Sequence, residues 1–155
     1  MSPAPARFTM RSAIVHDWFQ GLHGSERTVV AMLDLSERDP DVFTFHAARE
    51  LLPERLAAAI VRESRAARLP GIRQRGHKPG RWRLLLPYMP RYFESLDLRG
   101  YELVVSSSHA CAAGVRTGPG TLHLCYCHTP MRYVWLPAAE SGRAGGIKGL
   151  ALRAL

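Results

Sequence analysis

Apolar positions in this chain come in short, nearly continuous runs, each ending at polar residues or a Gly/Pro break. That spacing predicts strands alternating with helices. Ser12 to His16 reads as a short buried strand behind a Pro/Ala/Ser leader. Gly21-Leu22-His23-Gly24-Ser25 follows as a turn, with Gly24 or Ser25 capping a helix from about Glu26 to Leu35 whose apolar face is Val29, Val30, Leu33 and Leu35. Asp41 to Phe45 reads as a second strand after Asp39-Pro40, and Leu51 to Ala59 as a helix with Pro53 in its first turn. Ile60-Val61 opens a short third strand, and Arg81 to Leu86 a short helix that Pro87 and Pro90 should end. Tyr101 to Ser106 is the strongest strand, followed by small residues to Gly114 and the turn Gly118-Pro119-Gly120. Thr121 to Tyr126 is a further strand.

Alternating strands and helices parted by glycine turns predict an α/β fold, a Rossmann-like parallel sheet with flanking helices. At 155 residues and 46% hydrophobic, the chain suits one domain with a real core. The expected organisation is a leader over 1–11, the domain over 12–142, and over 143–155 the start of a linker and helix. Met1 to Arg7 lacks the apolar stretch of a secretory signal, and no run approaches the roughly 18 residues of a membrane span. The 3 cysteines, Cys111, Cys125 and Cys127, are odd in number and favour a reducing cytoplasm over a disulfide framework.

Several strands end in residues with chemistry to offer. His16-Asp17-Trp18 closes the first, and Ser106-Ser107-Ser108-His109 the strong one. His128 stands where Leu122 to Cys127 gives way to Thr129-Pro130, with Arg132 and Tyr133 just beyond. In open parallel sheets ligands bind at such carboxyl ends. The turn from Gly21 to the helix start can present backbone N–H groups to a phosphate, although the dinucleotide pattern G-x-G-x-x-G is absent and an ordinary βα turn explains the same glycines. A capped helix near Ser108 explains the serine run equally well. His123, Cys125, Cys127 and His128 do not have structural-zinc spacing, so no metal is expected, and the cysteines read as small buried hydrophobes.

The charge is local. Arg62, Arg65, Arg68, Arg73, Arg75, Lys78, Arg81, Arg83 and Arg91 outweigh Glu63 by the whole net charge of the chain, +8. Trp82, Tyr88, Tyr92 and Phe93 are interleaved among them. Such a segment suits an anionic membrane surface or a lipid phosphate, with Arg73, Arg75, Lys78, Arg81, Trp82 and Arg83 as the contacts. A solvated surface and nucleic acid are the competing readings, and the confinement of charge to one segment disfavours the second.

Ala13-Ile14-Val15-His16-Asp17-Trp18, Gly24-Ser25-Glu26-Arg27, Tyr101 to His109 and Cys125-Tyr126-Cys127-His128-Thr129-Pro130-Met131-Arg132-Tyr133 together resemble the amino-terminal half of a family 4 glycosyltransferase. The resemblance implies one half of a GT-B fold and retaining transfer of a hexose, often mannose, from a nucleotide-sugar co-substrate to a lipid-linked or polysaccharide acceptor. It implies no resident cofactor and no obligatory metal. Gly21, Gly24, Ser25 and Glu26 would approach the donor, and His128 would sit in the cleft as the catalytic histidine. His16, Asp17, Trp18, His109, Arg132 and Tyr133 would shape the acceptor side. The resemblance stops short of the nucleotide-binding domain, so the chain should need that second GT-B domain for activity. It should work in the cytoplasm, peripherally on the inner face of the plasma membrane, without nucleic acid. A non-enzymatic phosphate- or nucleic-acid-binding module of the same fold is the alternative.

Overall fold

The computed structural model describes residues 9–73 and 81–129. Five parallel strands form one sheet: β1 (Ser12–Phe19), β2 (Asp41–Ala47), β3 (Ile60–Glu63), β4 (Leu103–Ser108) and β5 (Leu122–Cys127), in the order β3-β2-β1-β4-β5. The chain therefore has the expected Rossmann-like α/β architecture. After β1 it winds outward to β2 and β3, then crosses back to place β4 on the other side of β1. The order reverses at the β1/β4 boundary, which makes the carboxyl ends of these two strands the topological switch point.

Two apolar layers cover the sheet. Helices α1 (Gly24–Leu33) and α2 (Glu54–Ala59) bury Val29, Leu33 and Leu56 against Ile14, Phe19, Val42 and Ile60 on one face. On the other face the 3-10 helix Trp82–Tyr88 and α3 (Met89–Glu94) bury Trp82, Met89, Tyr92 and Phe93 against Val15, Phe43, Phe45 and Val104. The α1 layer stops short of β5. Leu122, Leu124 and Tyr126 are about half exposed, beside an apolar groove of about 260 Å³ running past Met32 and Leu35. That groove lies toward the amino ends of the strands, away from the switch point.

Several expectations change in detail. Helix α1 begins at Gly24 with His23 at its N-cap, so neither Gly24 nor Ser25 caps it, and it ends at Leu33, leaving Leu35 exposed. The expected helix Leu51–Ala59 is split. Leu52, extended as residues before proline tend to be, separates a 3-10 turn at Arg49–Leu51 from α2. Pro87 does not stop the helix after Leu86: a 3-10 turn runs through it and hands over to α3, whose first turn accommodates Pro90.

The aromatic residues of the basic segment are the larger correction. Trp82 is 1% exposed, stacked on His46 at 5.3 Å and packed against Trp18 at 5.0 Å, and Tyr92 and Phe93 are buried with it. Trp82 thus cannot touch a membrane or phosphate, because the helical run winds its large rings onto the sheet. Tyr88 and Leu84 are exposed, as are Arg62, Arg65, Arg68, Arg73, Arg81 and Arg91. The cysteines are corrected in the opposite sense: Cys125 and Cys127 lie exposed on edge strand β5, and Cys111 is half-buried. Arg75, Lys78, Arg132, Tyr133 and the expected tail over 143–155 lie outside the described residues.

Candidate functional site at the switch point

The carboxyl ends of β1, β4 and β5 bring together side chains from three distant stretches of sequence. Alternation along β1 sends His16 and Asp17 to opposite faces, and each organises its own side.

Asp17 is fully buried, and its carboxylate is consumed by the chain itself. Oδ2 accepts the backbone N–H groups of His109 at 2.7 Å and Ala110 at 2.9 Å, while Oδ1 accepts those of Cys111 and Ala112, both at 2.7 Å. The Ser108 hydroxyl adds a bond at 3.3 Å, and His109 Nδ1 lies 3.4 Å away. The segment expected as small-residue filler or a helix start is therefore a tight loop wound around one carboxylate, continuing into a 3-10 turn at Ala112–Gly114. The Asp17 carboxylate is thus spent on holding this loop. Burial, with the charge of Asp17 adding to it, raises the Cys111 thiol to about 11, so that sulfur stays protonated.

On the α1 side, His16 is buried beneath Phe19, its ring 4.6 Å away. Its Nδ1 donates to the Ser107 carbonyl at 2.9 Å and lies 3.1 Å from the Ser107 hydroxyl. The same hydroxyl is 2.8 Å from Nε2 of His128, immediately beyond β5. Nε2 of His16 is buried and has no hydrogen-bond partner among the described residues. Desolvation lowers the His16 pKa from 6.5 to about 4, with the charges of Asp17 and Glu26 only partly opposing. His128 is also lowered, by desolvation first and then by His109. Both rings are consequently neutral near pH 7. His109 completes the rim, its ring edge-on to Trp18 at 4.4 Å and 6.4 Å from His128.

At the start of α1, backbone and side chains are placed differently. The first helical hydrogen bond runs from Arg27 N to His23 O, so the N–H groups of Gly24, Ser25 and Glu26 make no bond of that ladder. A Cβ at Gly24 would meet nothing within 4 Å, so the fold does not itself demand glycine there. The side chains are otherwise employed: the Ser25 hydroxyl donates to Glu26 Oε2 at 3.0 Å, and Glu26 is turned inward, only 3% exposed. The helix start thus presents backbone donors while the Glu26 carboxylate is turned inward.

His16, Trp18, His109 and His128 are therefore gathered at one place, with Gly24 to Glu26 at the adjoining helix start. Ser107, read from sequence only as part of the serine run, joins two of the histidines, and His46 at the end of β2 escapes the sequence reading. Their signal was the same one that marked His16: a polar residue at the carboxyl end of a β-prone run. Among the described residues no group of three or more His, Cys, Asp or Glu is arranged to hold a metal ion. Compared with models of known families, with curated proteins and with solved structures, the chain matches none.

Two outcomes are expected. Asp17→Asn leaves two of the backbone N–H groups facing an amide nitrogen, at about 1–3 kcal/mol for each unsatisfied donor. The urea midpoint should fall by a matching amount, and amide exchange at Ala110 to Ala112 should accelerate; an unchanged midpoint would contradict the loop's dependence on the carboxylate. Secondly, His16 is depressed in the fold, so unfolded chains take up its proton first as pH drops. Stability present above pH 6.5 should decline as pH falls toward about 4. His16→Gln should flatten that part of a stability-against-pH curve.

Proposed function

We propose that this chain is the amino-terminal, acceptor-side domain of a retaining GT-B glycosyltransferase, working with a second domain that binds the nucleotide-sugar. The observation that carries this reading is the convergence of His16, Ser107, His109 and His128 at the switch point, beside the uncommitted N–H groups that open α1. Neutral rings beside backbone donors suit a ligand with hydroxyls and a diphosphate. The resemblance at Cys125 to Tyr133 gives that ligand its class, a nucleotide-hexose, often of mannose.

In this reading His128 stands beside the transferred sugar, and the amides of Gly24 and Ser25 receive negative charge as the nucleoside diphosphate departs. His16, buried beneath Phe19, supports the site from below through its bond to Ser107. Trp18 and His109 form the acceptor wall, on a loop that Asp17 holds in place. Closure of the second domain would exclude the water that otherwise hydrolyses the donor. Exposed Arg73, Arg81, Leu84 and Tyr88 would hold the domain against the anionic cytoplasmic leaflet near a lipid-linked acceptor. No helix among the described residues is long and apolar enough to cross a membrane.

The chemistry is checked by hexose transfer from GDP- and UDP-sugars to a polyprenyl-linked acceptor in the two-domain enzyme. His128→Ala should lose roughly two orders of magnitude or more in turnover, and wild-type turnover would remove His128 from the reaction. For the membrane contact, co-sedimentation with vesicles should rise with anionic lipid, fall with added salt and weaken on charge reversal at Arg73 and Arg81. Binding indifferent to all three would rule that surface out.

A further inference from the structure

The hydrogen bonds around Ser107 decide more than proximity. The Ser107 carbonyl can only accept, so the Nδ1 atom of His16, 2.9 Å away, must carry a proton and donate it. In the neutral ring that leaves Nε2 bare, which agrees with its burial without a partner among the described residues. The Ser107 hydroxyl, 3.1 Å from the same Nδ1, cannot donate to a nitrogen already protonated. It is fully buried, and the other nitrogen within reach is His128 Nε2 at 2.8 Å. A hydroxyl proton aimed anywhere else would be a buried donor with no acceptor, the costly outcome in a closed polar chain.

We infer that Ser107 is a positioning residue that fixes His128 in one tautomer, with Nε2 accepting from the serine hydroxyl and the proton on Nδ1. The chain of donation runs from His16 through Ser107 to His128 and ends on an N–H. His128 therefore meets the cleft as a hydrogen-bond donor. Its nitrogen with a free lone pair is occupied by serine and cannot remove a proton from a ligand. The preferred group at Nδ1 is an acceptor oxygen, whether of a phosphate or of a hydroxyl. This assignment follows from the protein's own hydrogen bonds and holds whichever ligand the cleft takes.

Ring-nitrogen NMR on protein carrying ¹⁵N-histidine tests it, with His128 identified by the signals lost in His128→Asn. At a pH where the rings are neutral, the wild type should show protonated Nδ1 and bare Nε2 for both His16 and His128. Ser107→Ala should let the His128 proton move largely to Nε2, whereas Ser107→Thr, which keeps the hydroxyl, should restore it to Nδ1. Protonated Nε2 on His128 in the wild type overturns the inference without recourse to any variant. An unaltered His128 spectrum in folded Ser107→Ala overturns it equally.

Discussion

One buried carboxylate ties the two halves of the sheet together where they meet. Asp17 sits at the end of β1 and takes the N–H groups of four consecutive residues from the loop after β4, His109 to Ala112, at 2.7 to 2.9 Å. Removing a carboxylate from water costs several kcal/mol. Charge-assisted hydrogen bonds of roughly 1.5–3 kcal/mol each offset that cost only when nearly every oxygen lone pair is used. In the loop, this one carboxylate satisfies four successive buried or half-buried donors. Carboxylate and loop thus require one another, and His109 and the path from β4 toward β5 are placed as a consequence.

The pleat then separates structure from chemistry. Asp17 and Ser108 point to the face covered by Trp82 and α3, where their polarity is spent on the fold. His16, Ser107 and His128 point to the α1 side and share their hydrogen bonds with one another, beside a carboxylate at Glu26 that is also buried. Desolvation keeps His16 and His128 neutral against the pull of those acidic neighbours. A neutral site with oriented donors can receive an anionic or hydroxylated ligand without first losing an ion pair.

Much of the fold was legible because β-prone runs and their polar endings are local features. The β-prone runs that carry His16 and Ser106 and lead to His128 follow from a few adjacent residues, although β1 and β4 run on to Phe19 and Ser108; the alternation that predicts an all-parallel, helix-flanked sheet is local too. What was misread involves partners far away in the chain. Trp82 lies in the basic segment, and only the approach of His46 and Trp18 turns it into core. Cys125 and Cys127 look like buried hydrophobes until β5 proves to be the edge strand in the described sheet, where they lie exposed. Asp17 resembles a ligand-binding residue because a carboxylate at a strand end is unusual, and its true partners are about ninety residues distant.

The sequence by itself determined the alternation of strands and helices, the local concentration of basic charge, and which strand ends carry histidine, serine and aspartate. These depend on side-chain period and turn chemistry over a few residues. Tertiary structure alone decided the strand order, and with it the neighbours of each ending. Placing β1 beside β4 and β4 beside β5 brings His16, Ser107 and His128 within hydrogen-bond reach, while the pleat turns Asp17 the other way. The same residue type is a fully buried donor at His16 and a half-buried ring at His128, because burial and hydrogen-bond partners, which no short stretch of chain contains, set the difference.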